Sequence, residues 1–341
     1  LDIDFNSINT LDDFAAVIDT VIKRTPDPGT ETNQEVFMLA KDLDMRPSLL
    51  FGKGFKDAKE VYAARSFLAN SHNQLIKLAD ELIKNPSQLI LGGKRQEITI
   101  IFTDLEKFTE LIEQTEPSIV LPILNNYLDG LCKLVLKHGG TIDKIIGDAL
   151  LAFFGAPIEN TNHCLSAMNC ALEIDDFCRN FRDKQNNKNL NFGNTRIAVH
   201  TGNAIVGNFG GESFFDYTVQ GDLVNTASRM EQINKKLGTR MCVSEEISKK
   251  LTNLEFRPIG ELIFKGKSKP IGAFEPMIND KKQAPLEEYK QAYNQLNINK
   301  DLSIKKFKKL KDSYPDDPLC NFHYTRLRNG SYGSMISFEN K

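Results

Sequence analysis

Apolar residues change their spacing several times along this chain, and each change marks an element. Leu11, Phe14, Val17, Ile18, Val21 and Ile22 repeat at helical intervals until the Pro26-Asp-Pro-Gly29 breaker. A short helical pattern over residues 36–43 stops near Pro47. From 57 to 85, Val61, Ala64, Leu68, Ser71, Leu75, Leu78 and Leu82 alternate spacings of three and four for about three heptads. A parallel coiled coil and an ordinary helix packed on its own domain fit that spacing equally well. Pro86 and Gly92-Gly93 break the pattern.

A period of two then takes over. Residues 98–102 form a β-branched strand that runs into Thr103-Asp104, followed by a helical pattern from Glu106. Pro117 opens a further helix, with Val120, Leu121, Leu124, Leu128, Leu131 and Val135 assigned to one face, closed by Gly139-Gly140. Two apolar runs flank Gly147-Asp148, a hairpin signal. The second run, 149–154, is apolar throughout, which predicts a strand buried on both faces. A helix over 162–181, a loop over 184–194, a hairpin of 195–202 with 204–208, and a strand over 214–219 follow. Asp222 is placed to cap the next helix. His200, among apolar neighbours, reads as a satisfied structural histidine.

The order β-α-α-β-β-α-β predicts an α+β fold, a ferredoxin-like (palm-type) antiparallel sheet with flanking helices. Helical segments precede and follow it. The expected organisation is a helical segment of unassigned chemistry over 1–56, a connecting helix over 57–94, a catalytic domain over 95–278, and a helical hairpin over 283–330. The last has two helices, a Pro315-Asp-Asp-Pro318 turn and a third helix, and resembles a tetratricopeptide-like unit. A lone unit of that kind cannot bury its own face, so it should pack on the catalytic domain or on a partner. Its Lys305, Lys306, Lys308, Lys309 and Lys311 read as a solvated face.

Composition narrows the function. A chain of 341 residues with a formal net charge of −2 lacks the basic footprint of a nucleic-acid binder. Six cysteines without a Cys-x-x-Cys pair read as buried, reduced thiols, which favours a cytoplasmic setting. No run approaching ~18 apolar residues is apparent. The first residue is Leu1, which leaves room for a membrane or sensor segment upstream, with this chain as the cytoplasmic part.

The candidate chemistry begins with two carboxylates. Asp148 sits at the tip of the predicted hairpin, and Asp104 at the end of a buried strand. An isolated Gly-Asp is most often only a turn, but two aspartates on adjacent strand ends can hold a pair of Mg²⁺ ions. Such pairs serve in-line displacement at phosphorus. On a later helix, Asn225 and Arg229 are four apart and share a face.

Three segments carry a family resemblance: Phe102-Thr-Asp-Leu-Glu-Lys-Phe-Thr109, Lys144-Ile-Ile-Gly-Asp148 and Val219-Gln-Gly-Asp-Leu-Val-Asn-Thr-Ala-Ser-Arg229. They resemble, in order, the signature blocks of class III nucleotidyl cyclases, over roughly residues 95–276. The resemblance implies cyclisation of a nucleoside triphosphate, with attack of the ribose 3′-oxygen on the α-phosphorus. It implies Asp104, Asp148 and the Leu105 carbonyl as ligands of two Mg²⁺ (or Mn²⁺) ions. Asn225 and Arg229 would serve the ribose and α-phosphate, the amides near Phe108 and Thr109 the phosphates, and Lys265 the triphosphate, with Lys267 as its rival. Lys144 and Thr218 would read the base, and a lysine, which only donates, suits ATP. A homodimer with shared sites and an upstream sensor or partner protein are also implied. Guanylate cyclase activity, or a catalytically silent module acting in dimerisation, are the alternatives. A diguanylate cyclase is disfavoured by the absence of a Gly-Gly-Asp-Glu-Phe turn. One departure stands out: Lys107 occupies a position where the family usually has glycine.

Overall fold

Why the run Ala149–Phe154 carries no polar residue is plain from its two neighbours. In the computed structural model, which describes residues 92–211, 214–267, 269–278 and 282–337, this strand lies between two others and every side chain is buried. Leu150, Ala152 and Phe154 enter one core, while Leu151 and Phe153 enter the core on the opposite face. The helical pattern of 1–56 and the connecting helix up to residue 91 lie outside the described residues.

The elements run β1 (Gly92–Leu105), α1 (Phe108–Gln114), α2 (Pro117–Lys137), β2 (Thr141–Ile146), β3 (Ala149–Phe154), α3 (His163–Asn186), β4 (Thr195–Gly211), β5 (Phe214–Gln220), α4 (Asp222–Leu237), β6 (Met241–Ser244), α5 (Glu245–Lys250), β7 (Phe256–Ile263) and β8 (Ile271–Pro276). After these come α6 (Leu286–Tyr293), α7 (Lys300–Ser313), α8 (Pro318–Arg328) and β9 (Met335–Ser337). The order across the sheet is β2-β3-β1-β4-β6-β8-β7-β9, with β5 paired to β4. The fold is α+β, as the pattern predicted, but the sheet is mixed rather than antiparallel. β6 pairs parallel to β4 and β9 parallel to β7. Both follow helical crossovers, the connection that parallel pairing requires.

Several local expectations are corrected. β4 is one continuous strand, not a hairpin, because β1 pairs with it from Gly92↔Asn208 to Leu105↔Thr195. Gly202 is there for packing rather than turning: a Cβ would come within 3.0 Å of Leu223 on α4. The helix expected to end at 181 continues to Asn186. On α2 the buried residues are Val120, Tyr127, Leu131 and Val135, whereas Leu121 is 52% exposed. This 21-residue helix is also long and apolar enough to cross a membrane by length and composition, contrary to the expectation that no such run exists. Its buried face nevertheless belongs to the main core, alongside Met168 and Ile174 of α3. All six cysteines are free.

The C-terminal helices share one core with the sheet. Tyr289, Phe307 and Leu319 pack with Ala198 of β4 and with Ile259 and Leu262 of β7. At the junction sits Arg257, fully buried, which donates to Glu275 at 2.6 Å and to Asp317 at 2.5 and 3.0 Å. Asp317 also accepts from the amides of Ala284, Leu319 and Cys320. The guanidinium lies 4.9 Å from the Tyr289 ring centroid.

Candidate active site

β1 and the β2–β3 hairpin deliver the two aspartates to one end of the sheet. Ile146 pairs with Ala149 across the tip, and Gly147 supplies the positive φ of 66° that a two-residue hairpin turn demands. Asp148 is then fixed by its Oδ2, which accepts from the Leu105 amide at 2.9 Å. Burial and the charge of Asp104 together raise the Asp148 pKa. The two carboxylates are therefore close enough to repel, and their donor atoms are hard oxygens.

Two further residues that the sequence did not single out complete this end. Arg196 of β4 donates to Asp104, and its Nε donates at 2.8 Å to Glu231 of α4. Burial, then the charge of Asp104, push the Glu231 carboxyl up to about 7, against the pull of Arg196. Burial lowers the Arg196 pKa, but Glu231 and Asp104 outweigh it and hold it above the usual value. The available signal was a charged residue inside the apolar alternation Thr195-Arg-Ile-Ala-Val199.

Beyond Asp104 the chain turns sharply. Lys107 stands at φ 59°, ψ 25°, left-handed backbone that favours glycine. Its exposed side chain does not crowd the loop. Asn194 braces the turn, its carbonyl accepting from the Glu106 amide at 2.8 Å and its amide nitrogen donating to the Glu106 carboxylate at 3.1 Å. Helix α1 starts at Phe108, which packs on the main core, with Thr109 exposed next to it.

Lys144 and Thr218 meet from different strands. Lys144 Nζ donates to Thr218 Oγ1 at 3.5 Å and lies 3.4 Å from Asp143 and 3.8 Å from Asp216. A third group gathers around α4. Arg229 donates to the Lys265 carbonyl at 2.8 Å, its guanidinium 5.9 Å from the Phe264 ring centroid, while Asn225 is exposed one turn earlier. Lys265 is exposed, whereas its rival Lys267 donates to Asp222 at 2.7 Å and also to Thr226. Asp222 consequently does not cap α4: the capping position is Gly221, without a side-chain bond, and Asp222 spends its carboxylate on Lys267. His200 is also corrected. It is buried with Nδ1 lacking any hydrogen-bond partner, and burial pulls its pKa down to about 4.

Residues 92–275 match the family model described as the adenylate and guanylate cyclase catalytic domain. Adenylate cyclase 1 of Rhizobium meliloti (strain 1021) is 36% identical over 188 residues, 54% of this chain and 28% of that protein. The adenylate cyclase of Anabaena cylindrica is 32% identical over 192 residues, 54% of this chain and 37% of the relative. The matched region thus spans 28% and 37% of these two relatives' own lengths. Among solved structures, the adenylyl cyclase CyaB from P. aeruginosa superposes with a TM-score of 0.52 at 29% identity, covering 57% of this chain and 100% of that one. With more than half of its residues matched and a cyclase structure aligned over its full length, the chain belongs to the adenylate and guanylate cyclase catalytic domain family.

Proposed function

We propose that this chain is an adenylate cyclase that converts ATP to 3′,5′-cyclic AMP and pyrophosphate at sites shared across a homodimer. The observation that carries the reading is the Lys144–Thr218 contact at 3.5 Å. Adenine offers an acceptor at N1 and a donor at N6, which match an ammonium and a hydroxyl. Guanine would bring its N1–H against the lysine. The relatives named as adenylate cyclases support the same choice, although the family description covers both nucleotides.

Asp104 and Asp148, with the Leu105 carbonyl, fit two Mg²⁺ or Mn²⁺ ions, because paired, mutually repelling carboxylates are the hard donors such ions need. When bound, these ions would make the 3′-hydroxyl more acidic and neutralise the triphosphate. The chain's own groups would do the rest. Asn225 would hold the ribose, Arg229 would stabilise charge developing at the α-phosphate, and Lys265 would bind the triphosphate. The amides near Phe108 and Thr109 would donate to phosphate oxygens. Losing one such stabilising donor typically costs ~10²–10³ in rate.

Ile145 and Ile146, 47% and 54% exposed beside the hairpin tip, support coverage by a second copy related by a two-fold axis. The setting proposed is the cytoplasm, with the chain as the catalytic part of a longer signalling protein under an upstream sensor or partner. Purified protein supplied with Mn²⁺ and either ATP or GTP should form cyclic AMP in preference. Lys144→Glu combined with Thr218→Cys should move that preference toward GTP by tenfold or more, about 1.4 kcal/mol of discrimination. Preferential cyclic GMP formation by the unmodified chain would overturn the base assignment, and no product from either nucleotide would favour a silent module.

A further inference from the structure

The first half of β1 carries a second cluster of ligating groups, for which the nucleotide chemistry has no use. Glu97 of β1 and His163 and Cys164 at the start of α3 each offer a ligand atom, all within 4.8 Å of one another. Asp104 lies seven residues further along the same strand, about 23 Å at ~3.3 Å per residue, so this cluster is separate from the aspartate pair.

Hydrogen bonds fix the histidine's tautomer. Thr201 donates its single hydroxyl proton to the Ile98 carbonyl at 3.0 Å. Its 3.1 Å contact with Thr99 therefore uses the Thr99 proton. With that proton spent, Thr99 can only accept from His163 Nδ1 at 2.7 Å. In a neutral imidazole Nε2 is then a bare lone pair, and it faces the Glu97 carboxylate at 3.9 Å. Two acceptors opposed at that distance form no hydrogen bond. The His163 side chain is only 10% exposed, so solvent gives it little relief. The Cys164 thiol lies 3.6 Å from Nδ1.

An imidazole nitrogen, a carboxylate and a thiol, each within 4.8 Å of the others, make a ligand set for a borderline-soft cation rather than for Mg²⁺. Ligand atoms around tetrahedral zinc stand roughly 3.3–3.8 Å apart, so modest side-chain rotations close the observed spacing. The Nδ1–H donated to Thr99 is the kind of outer contact that orients metal-bound histidines. We propose that Glu97, His163 and Cys164 form a transition-metal site that takes a zinc-like divalent ion. Such an ion ties the start of α3 to β1. Lys250 of α5 ion-pairs with Glu97, and its half-exposed side chain competes with the metal.

The test is a titration of the full chain, stripped with chelator and then kept in excess Mg²⁺, with Co²⁺ alone. A thiolate-to-cobalt charge-transfer absorption should saturate at one ion per chain and be displaced by Zn²⁺. Cys164→Ser should abolish it, and Glu97→Gln, at an exposed position, should weaken binding at least about tenfold. Lys250→Ala should tighten binding severalfold, and Cys132→Ser should leave it unchanged. Absence of the absorption at tenfold excess Co²⁺, its persistence in folded Cys164→Ser protein, or equal affinity in Glu97→Gln protein would each overturn the proposal.

Discussion

Arg257 and Arg196 each hold two carboxylates, and they differ in how completely the group is closed. Arg257 is fully buried between Glu275 and Asp317, and Asp317 also takes three backbone amides. Arg196 spans Asp104 and Glu231, but the Asp104 side chain is 29% exposed and has room for further ligands. The closed group leaves nothing for a ligand to do, and joins the C-terminal helices to the sheet. The open group belongs to the site proposed above. Burial alone does not separate structural charges from functional ones; remaining coordination capacity does.

The largest effect should come from breaking the open group. Asp104→Ala and Asp148→Ala should each cut cyclic nucleotide formation by at least ~10³-fold, measured at saturating Mn²⁺, with the circular dichroism spectrum unchanged. Residual turnover near the unmodified level in either variant would move that residue out of the site. The closed group should respond the opposite way. Arg257→Met strands two buried carboxylates and should cost about 3–5 kcal/mol in denaturant unfolding, while turnover per folded molecule stays within about twofold. A variant that lost activity but kept its stability would erase the distinction between the two arginines.

A smaller effect sharpens the open group's position at a shared site. Asp148→Ala and Arg229→Ala homodimers should both be inactive, yet random subunit exchange makes half the dimers mixed, each with one intact site. About a quarter of unmodified activity should return. Continued inactivity after verified exchange would mean that each chain builds its own site. The smallest effect concerns the turn beyond Asp104. Lys107→Gly should stabilise the fold by about 1 kcal/mol in chemical denaturation, since glycine adopts the φ of 59° without strain. Unchanged or lower stability would mean that the lysine's own contacts outweigh its backbone cost.

The sequence announced its hairpin clearly, because an unbroken apolar run beside Gly147-Asp148 has few other uses. Positions where a residue type serves an unusual end were harder to read. Gly202 resembled a turn, yet it lies in mid-strand to admit Leu223. Asp317 lies in the Pro315-Asp-Asp-Pro318 turn, where nothing in the sequence marks it as the fully buried ion-pair partner that it is. Arg196 shows in the sequence only as a charge inside an apolar alternation, and its partners, Asp104 and Glu231, are 92 and 35 residues away. The expected site residues were legible as motifs; Arg196 and Glu231, brought to them only by folding, were not.

The short strand β9 has a consequence for where this catalytic unit can be cut. It pairs with Glu261–Ile263, the outer side of β7, a few residues before Lys265. A chain shortened at the end of β8 would leave β7 as an uncovered edge, with Ile259 and Leu262 stripped of their helical cover. Unpaired edges of that kind invite strand-to-strand association between molecules. The family boundary at 275 is thus a boundary of ancestry, and the boundary of solubility lies about 60 residues further on, past β9.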